Sequence, residues 1–172
     1  MRVWLSLILL LHTGTSSLIV LAQTTPKSTK TPFSVTISAT QTVMKAGAEV
    51  RINVVLTNIS DREIYINVSG GPGELDYTVS VLDRSGHEAP ETKYLRALRG
   101  EDASDPGETT TLVVARSFGL RDVKPGDTFR SSIDLGKLYD LQPGKYTIQL
   151  ERIEEETHPV VKSNTITVTV AP

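Results

Sequence analysis

The sequence predicts an all-β domain built as an antiparallel β-sandwich of about seven to nine strands. The first observation is that apolar and polar residues alternate in a series of short segments, which is typical of strands with one buried face. The second is that turn-forming glycine, proline and aspartate residues separate these segments. The third is that no long window has the period of an amphipathic helix. Because antiparallel sheets can leave one face in water, packing two of them face to face buries the apolar faces. A β-barrel is the main alternative architecture.

The predicted strands follow one another along the chain, and each is identified by its own alternation. Seven segments alternate clearly, namely residues 33–38, 50–57, 64–68, 77–81, 129–135, 146–150 and 166–170. A further strand is predicted over residues 109–114, where the pattern is less regular. Helical turns are predicted only at residues 94–98 and 136–140.

Residues 1–22 have the layout of a secretory signal peptide. Arg2 supplies a positive end, an apolar run follows, and small residues precede a predicted cleavage site between Ala22 and Gln23. The alternative is a retained membrane anchor, but a spanning helix needs about 20 mostly apolar residues. Polar residues 12–17 interrupt this segment. We therefore expect a secreted or periplasmic protein with no stable membrane insertion after cleavage.

Composition sets the domain organisation and excludes several functions. Residues 23–32 are polar and rich in threonine, proline and lysine, which predicts a flexible linker. Residues 33–172 are then long enough for one domain with its own core. The chain has no cysteine, which excludes disulfides, thiolate metal sites and a cysteine nucleophile. Its net charge of −2 lacks the basic excess of nucleic-acid-binding proteins.

The segment before the strand at 146–150 predicts a corner between two sheets. Asp140, Gly144 and Tyr146 form a D-x-x-x-G-x-Y arrangement, in which Pro143 and Gly144 set the turn. This arrangement resembles the tyrosine corner of immunoglobulin-like sandwiches, in which the tyrosine hydroxyl bonds to upstream backbone. The resemblance implies an antiparallel immunoglobulin-like β-sandwich. Ile148 occupies the position of the second antibody cysteine, so we expect aliphatic packing in place of the antibody disulfide.

Several short segments also resemble domains described as intracellular proteinase inhibitors (BsuPI-like). They are residues 54–61, 75–79 with 83–86, 123–126 and 141–146, and they span roughly residues 50–150. The sequence departs from that family because it begins with an export signal and its only tryptophan is Trp4, within the signal. The resemblance implies a β-sandwich fold and, as an alternative function, proteinase inhibition.

The residues that most often support catalysis are sparse, and we therefore predict a non-enzymatic protein without a metal or other cofactor. His87 and His158 lie in polar turn segments far apart in sequence, where surface positions are usual. No H-E-x-x-H or other metal-ligand spacing occurs. No G-x-S-x-G nucleophile elbow occurs either.

The longest predicted irregular stretch, residues 96–108, is the candidate partner-binding loop. Its charged residues are Arg96, Arg99, Glu101, Asp102, Asp105 and Glu108. A solvated loop is the simplest interpretation, since most exposed loops have no binding role. The carboxylates could also bind calcium or act in acid–base catalysis, although their spacing matches no EF-hand.

Two N-glycosylation sequons begin at Asn58 and Asn67.

The leading functional hypothesis is an exported, non-enzymatic β-sandwich module that binds a protein or surface partner or has a structural role in the envelope or outside the cell. The first alternative is a secreted proteinase inhibitor, with Arg96 or Arg99 entering the cleft of a protease. The second alternative is a small secreted hydrolase that uses the carboxylates of the 96–108 loop.

Overall fold

The computed structural model describes residues 31–69, 73–99, 101, 118–154 and 159–172, and the structural statements below concern those residues. The predicted signal peptide, with Ala22 and Gln23, lies outside them, as do residues 23–30 of the predicted linker and the predicted strand at 109–114. The described strands are β1 (Phe33–Ala39), β2 (Val43–Lys45), β3 (Arg51–Asn58), β4 (Ile64–Ser69), β5 (Thr78–Leu82), β6 (Phe118–Val123), β7 (Thr128–Asp134), β8 (Gly144–Ile153), β9 (Val160–Lys162) and β10 (Ile166–Ala171). The described helices are a 3-10 helix (Gly73–Asp76), α1 (Lys93–Arg99) and α2 (Leu135–Leu138).

These strands form three sheets, and the prediction of an all-β protein with antiparallel sheets is confirmed. The first sheet has the order β1-β3-β7. The second has the order β2-β10-β8-β5, with β9 also paired to β8, and the third is the pair β4-β6. Among the described strands, β2 and β10 form the only parallel pair.

The alternating pattern places every second side chain of the main strands in one shared hydrophobic core. On β3, Ile52, Val54 and Leu56 are buried, and Ile52 lies opposite Ile133 of β7. On β8, Ile148 is also buried, and it belongs to the same cluster of apolar side chains. Because both sheets contribute to one cluster, burial of apolar surface holds them together.

Two short helices contact each other and add buried leucines to the core. Asp134 caps α2 by accepting a hydrogen bond from the Gly136 backbone N–H at 3.1 Å, and Leu135 and Leu138 are buried. Thr92 caps α1, since its Oγ1 accepts from the Leu95 backbone N–H at 3.2 Å. The helical turns predicted at 94–98 and 136–140 are thus confirmed: α1 extends one residue further at each end, and α2 begins one residue earlier and ends two residues earlier.

Three of the described strands have no counterpart among the predicted ones. β2 and β9 are each three residues long, which is too short to show alternation. β6 is longer, but Gly119 and Arg121 lie opposite Val68 and Ile66 of β4, where an apolar pattern would require apolar residues. The local sequence of β6 therefore does not alternate.

Candidate functional site

The predicted corner contains a buried tyrosine bonded to the backbone. Tyr146, near the start of β8, is buried, and its hydroxyl donates to the Gln142 carbonyl oxygen at 3.0 Å. Pro143 is exposed, and Gly144 is the first residue of the strand. The phenol is thus occupied in holding the corner, and its position is structural.

We expect Tyr146→Phe to lower the free energy of unfolding by about 1 kcal/mol, because it removes one buried hydrogen bond. The Gln142 carbonyl would lose its tyrosine donor while the ring kept its packing. Urea unfolding followed by circular dichroism would measure the change. An unchanged midpoint would show that the bond contributes nothing to stability.

A second tyrosine in the same segment, Tyr139, has a similar role that the sequence did not reveal. It is buried directly after α2, and its hydroxyl donates to the Val79 carbonyl oxygen of β5 at 2.7 Å. Burial raises the pKa of Tyr139 to about 12, and the nearby Glu91 carboxylate contributes in the same direction. The two tyrosines therefore attach the corner segment to both β5 and β8.

We expect Tyr139 to make the protein less stable above pH 10. In the unfolded chain a tyrosine loses its proton near pH 10, whereas Tyr139 in the folded protein keeps its proton up to about pH 12. The folded state therefore binds more protons in this range, so its stability is complete below pH 10 and falls between pH 10 and 12. Urea unfolding at pH values across this range would test this, with Tyr139→Phe expected to fall less steeply. Identical slopes in the two proteins would contradict the assignment.

Residues 96–99 of the candidate partner-binding loop are helical, and the expectation of an irregular segment at these residues is wrong. Arg96 and Arg99 lie in α1, because Thr92 caps that helix and Leu95 and Leu98 bury its apolar side. Arg99 Nη1 lies 2.6 Å from Glu91 Oε1, and Arg96 Nη1 donates to the Glu91 carbonyl oxygen at 3.1 Å. Both guanidinium groups are thus engaged within the domain.

Of the acidic residues of that segment, only Glu101 lies within the described residues. Glu101 is exposed, and its backbone N–H donates to the Arg96 carbonyl oxygen at 3.0 Å. Asp102, Asp105 and Glu108 lie outside the described residues. His87 is exposed in its turn, and His158 also lies outside the described residues.

A cavity of about 430 Å³ at the outer strand of the first sheet is the candidate site, and we call it the β7-edge cavity. Its lining residues come from the start of β3, the end of β4, the 3-10 helix, β6, β7 and α2; they are Glu49, Arg51, Val68, Ser69, Gly73, Glu74, Asp76, Arg121, Phe129, Ser131, Ser132, Asp134 and Lys137. Neither histidine nor cysteine is among these described lining residues.

Two buried polar atoms of this cavity have no hydrogen-bond partner among the described residues. They are Oε2 of Glu74, whose residue is only 7 % exposed, and Oγ of Ser131 on β7. Gly73 allows this close packing, because a Cβ atom at that position would lie 3.3 Å from the Ser132 carbonyl oxygen. The glycine thus lets the 3-10 helix approach β7 and places Glu74 beside that strand.

The charged groups of the cavity differ in how deeply they are buried. Glu74 is buried and Asp76 and Asp134 are half-buried, whereas Arg121 and Lys137 are exposed at the rim. The two half-buried carboxylates already accept backbone hydrogen bonds, Asp76 from the Ser69 N–H at 2.7 Å and Asp134 from Gly136. The rim also holds Arg51, whose guanidinium is paired with Glu49. The interior of the cavity is consequently acidic and its rim mainly basic.

Sequence reasoning missed this site because its residues come from six elements. The only local signal is the glycine-rich run over residues 70–73 immediately before Glu74. Ser131 is an ordinary polar residue in a strand pattern, and nothing local distinguishes it from Ser132. Their convergence depends on how the 3-10 helix packs against β7.

Within the described residues, no group of three or more histidine, cysteine, aspartate or glutamate side chains is arranged to hold a metal ion. Over the same part of the chain, no helix has the length and apolar character needed to cross a membrane. Neither a scan of protein-family models nor a search of curated proteins returned a match to this chain.

Proposed function

We propose that this protein is an exported, non-enzymatic immunoglobulin-like β-sandwich module that binds a protein partner through the β7-edge cavity. The order of the strands supports the fold. An immunoglobulin-like sandwich of the constant type has seven strands, with A, B, E and D in one sheet and C, F and G in the other. In this chain β1, β3 and β7 correspond to A, B and E, and β5, β8 and β10 to C, F and G. Tyr146 then lies near the start of strand F, the position of the tyrosine corner.

The observation on which the binding function depends is the pair of unpartnered polar atoms in one cavity. More than about 90 % of buried polar groups in proteins have a hydrogen-bond partner, and leaving one without a partner costs about 1–3 kcal/mol. Glu74 Oε2 and Ser131 Oγ both lack a partner within the described residues. Each of these two unpartnered atoms lowers the stability of the fold. Proteins commonly keep destabilising groups where a function requires them, and the presence of both atoms in one cavity therefore supports a role in recognition.

Site-specific photo-crosslinking tests the proposal. A photoreactive amino acid replaces Lys137 at the rim of the cavity, and in a control protein it replaces Arg84, which is exposed in the turn after β5. Ultraviolet irradiation in the native secretome should give one discrete adduct from position 137, which excess unmodified protein competes away. Position 84 should give none. Equal labelling at the two positions, or no adduct at position 137, would contradict the proposal.

The two alternative functions stay proposals with less support. An inhibitor that used Arg96 or Arg99 as its anchor would have to release them from their contacts with Glu91. A hydrolase would depend on Asp102, Asp105 and Glu108, which lie outside the described residues.

A further inference from the structure

We propose that the β7-edge cavity receives a lysine or arginine side chain of the protein partner, whose cationic group binds the carboxylate of Glu74 and the hydroxyl of Ser131. This inference rests on the proposed function and specifies the chemistry of the same site. It concerns Glu74 and Ser131, which both line the cavity and each have a buried oxygen atom without a partner in the described residues.

Glu74 is the central group because it combines burial with the lack of a donor. Its residue is 7 % exposed, and Oε2 has no hydrogen-bond partner within the described part of the chain. A carboxylate oxygen only accepts hydrogen bonds, and burying it is unfavourable unless a cation or several donors compensate. An ammonium group offers three donors and a guanidinium five, each with the charge needed for compensation.

The other groups of the cavity agree with a cationic ligand. Asp76 and Asp134 already accept backbone hydrogen bonds, but their negative charges still favour a cation nearby. Ser131 lines the same cavity, and its Oγ adds a neutral acceptor. Rotation of its hydroxyl lets this oxygen accept a hydrogen bond from the ligand while its own proton points elsewhere.

The exposed cations at the rim indicate what should flank the bound side chain. Arg121 and Lys137 are both exposed and line the cavity. They would oppose a strongly basic peptide and attract acidic residues on either side of the inserted side chain. We therefore expect a lysine or arginine with acidic neighbours to bind better than one in a basic run.

An internal ion pair is the competing explanation. Arg121 lines the same cavity as Glu74, and its flexible side chain could turn inward and neutralise the carboxylate. The cavity would then be closed by the protein itself and would not need a ligand. Stability measurements separate the two explanations, because an internal pair makes Glu74 and Arg121 stabilise the fold jointly.

Titration with small probes tests the cation site directly. The probes are N-acetyl-lysine methylamide and N-acetyl-arginine methylamide, with N-acetyl-norleucine methylamide as the neutral analogue of lysine. Nuclear magnetic resonance of the purified protein should show shifts at the amides of Glu74 and Ser131 with both cationic probes. Because Oε2 is shielded from solvent, we also expect the Glu74 side-chain resonances to shift as that side chain reorients. The neutral probe should bind at least about 10-fold more weakly, because it cannot form the charge-assisted hydrogen bond.

Replacing one carboxylate inside the cavity and one outside it shows which carboxylate binds the cationic probes. Glu74→Gln should weaken the cationic probes by about 10-fold or more, whereas Glu63→Gln should not change their affinity, since Glu63 is exposed in the turn between β3 and β4. Glu74→Gln should also raise Tm by about 2–4 °C, because it removes a buried charge without a partner. Arg121→Gln should not weaken the probes.

Two results would overturn the inference. Equal binding of the cationic and neutral probes would exclude a cation site. Equal losses of Tm in Glu74→Gln and Arg121→Gln, with no further loss in the double variant, would establish the internal ion pair instead. If either occurs while the crosslink from position 137 persists, the proposed partner binding stands and only the ligand chemistry is wrong. If the crosslink is also absent, the proposed function fails with it.

Discussion

Replacing Asn58 by alanine should lower the free energy of unfolding by about 3–5 kcal/mol, as expected when a buried hydrogen-bond network is broken. Asn58 ends β3 and is 1 % exposed. Its Nδ2 donates to the carbonyl oxygens of Arg62 and Val123, each at 2.8 Å. Its Oδ1 accepts from the backbone N–H and the hydroxyl of Ser60, at 2.9 and 2.7 Å. One side chain thus joins the end of β3, the turn that follows it and the end of β6.

The expected loss of stability is large because alanine leaves polar groups without hydrogen-bond partners. The buried carbonyl of Val123 would lose its donor, and the turn at Ser60 would lose its acceptor. Urea unfolding would measure the loss, with Asn53→Ala as the control on the same strand. Asn53 is exposed, so its replacement should change stability by about 0.5 kcal/mol or less. Similar effects of the two replacements would show that the network is not needed for folding.

The same network distinguishes the two predicted glycosylation sequons. A glycan at Asn58 would be attached to Nδ2, the atom that donates both buried hydrogen bonds. The folded domain has no room for it there, because the residue is almost completely buried. Asn67 is exposed on β4. We therefore expect that, in a host that modifies this sequon, only Asn67 would be accessible for it.

The second large effect is expected for Ile148→Ala, which should destabilise the protein by about 3–4 kcal/mol. Ile148 is 0 % exposed and lies opposite Val81 of β5 and Ile166 of β10. The chain has no cysteine, so no disulfide supports the core around this residue. Truncation removes buried methyl groups and leaves a cavity that neighbouring side chains on two strands can fill only partly.

A position on the same strand provides the control for this prediction. Ile153, at the end of β8, is 58 % exposed, so Ile153→Ala should change stability by about 0.5 kcal/mol or less. Thermal or urea unfolding of the two variants would give the comparison. If Ile148→Ala cost no more than Ile153→Ala, the core would not depend on aliphatic packing at this corner.

The strands with strong alternation could be predicted because alternation is a local property. Ile52, Val54 and Leu56 predicted β3 within a residue at each end. The bond from Tyr146 to Gln142 also belongs to this class, since its two residues are four apart and a short turn connects them. The helical turn at 94–98 was predicted too, although the same reasoning wrongly treated residues 96–99 as the start of an irregular stretch.

The strands and sites that escaped prediction depend on distant residues. β6 has Arg121 opposite Ile66, and only its pairing with β4 makes it a strand. Tyr139 reaches the Val79 carbonyl sixty residues away. Glu74 is a charged residue that sequence reasoning would place in solvent, since glutamate is almost never fully buried without a partner. Its burial follows from the packing of the 3-10 helix against β7.

The sequence by itself therefore determined the class of secondary structure, the positions of the main strands and the corner at Tyr146, because periodicity and turn chemistry act between residues close in the chain. Tertiary structure alone decided which polar groups became buried. Asn58 has its partner Val123 sixty-five residues away and is fully satisfied, whereas Glu74 is buried beside β7 with an oxygen that no described residue satisfies. The reason is that desolvation and hydrogen bonding depend on neighbours in space, and only the folded chain specifies those neighbours.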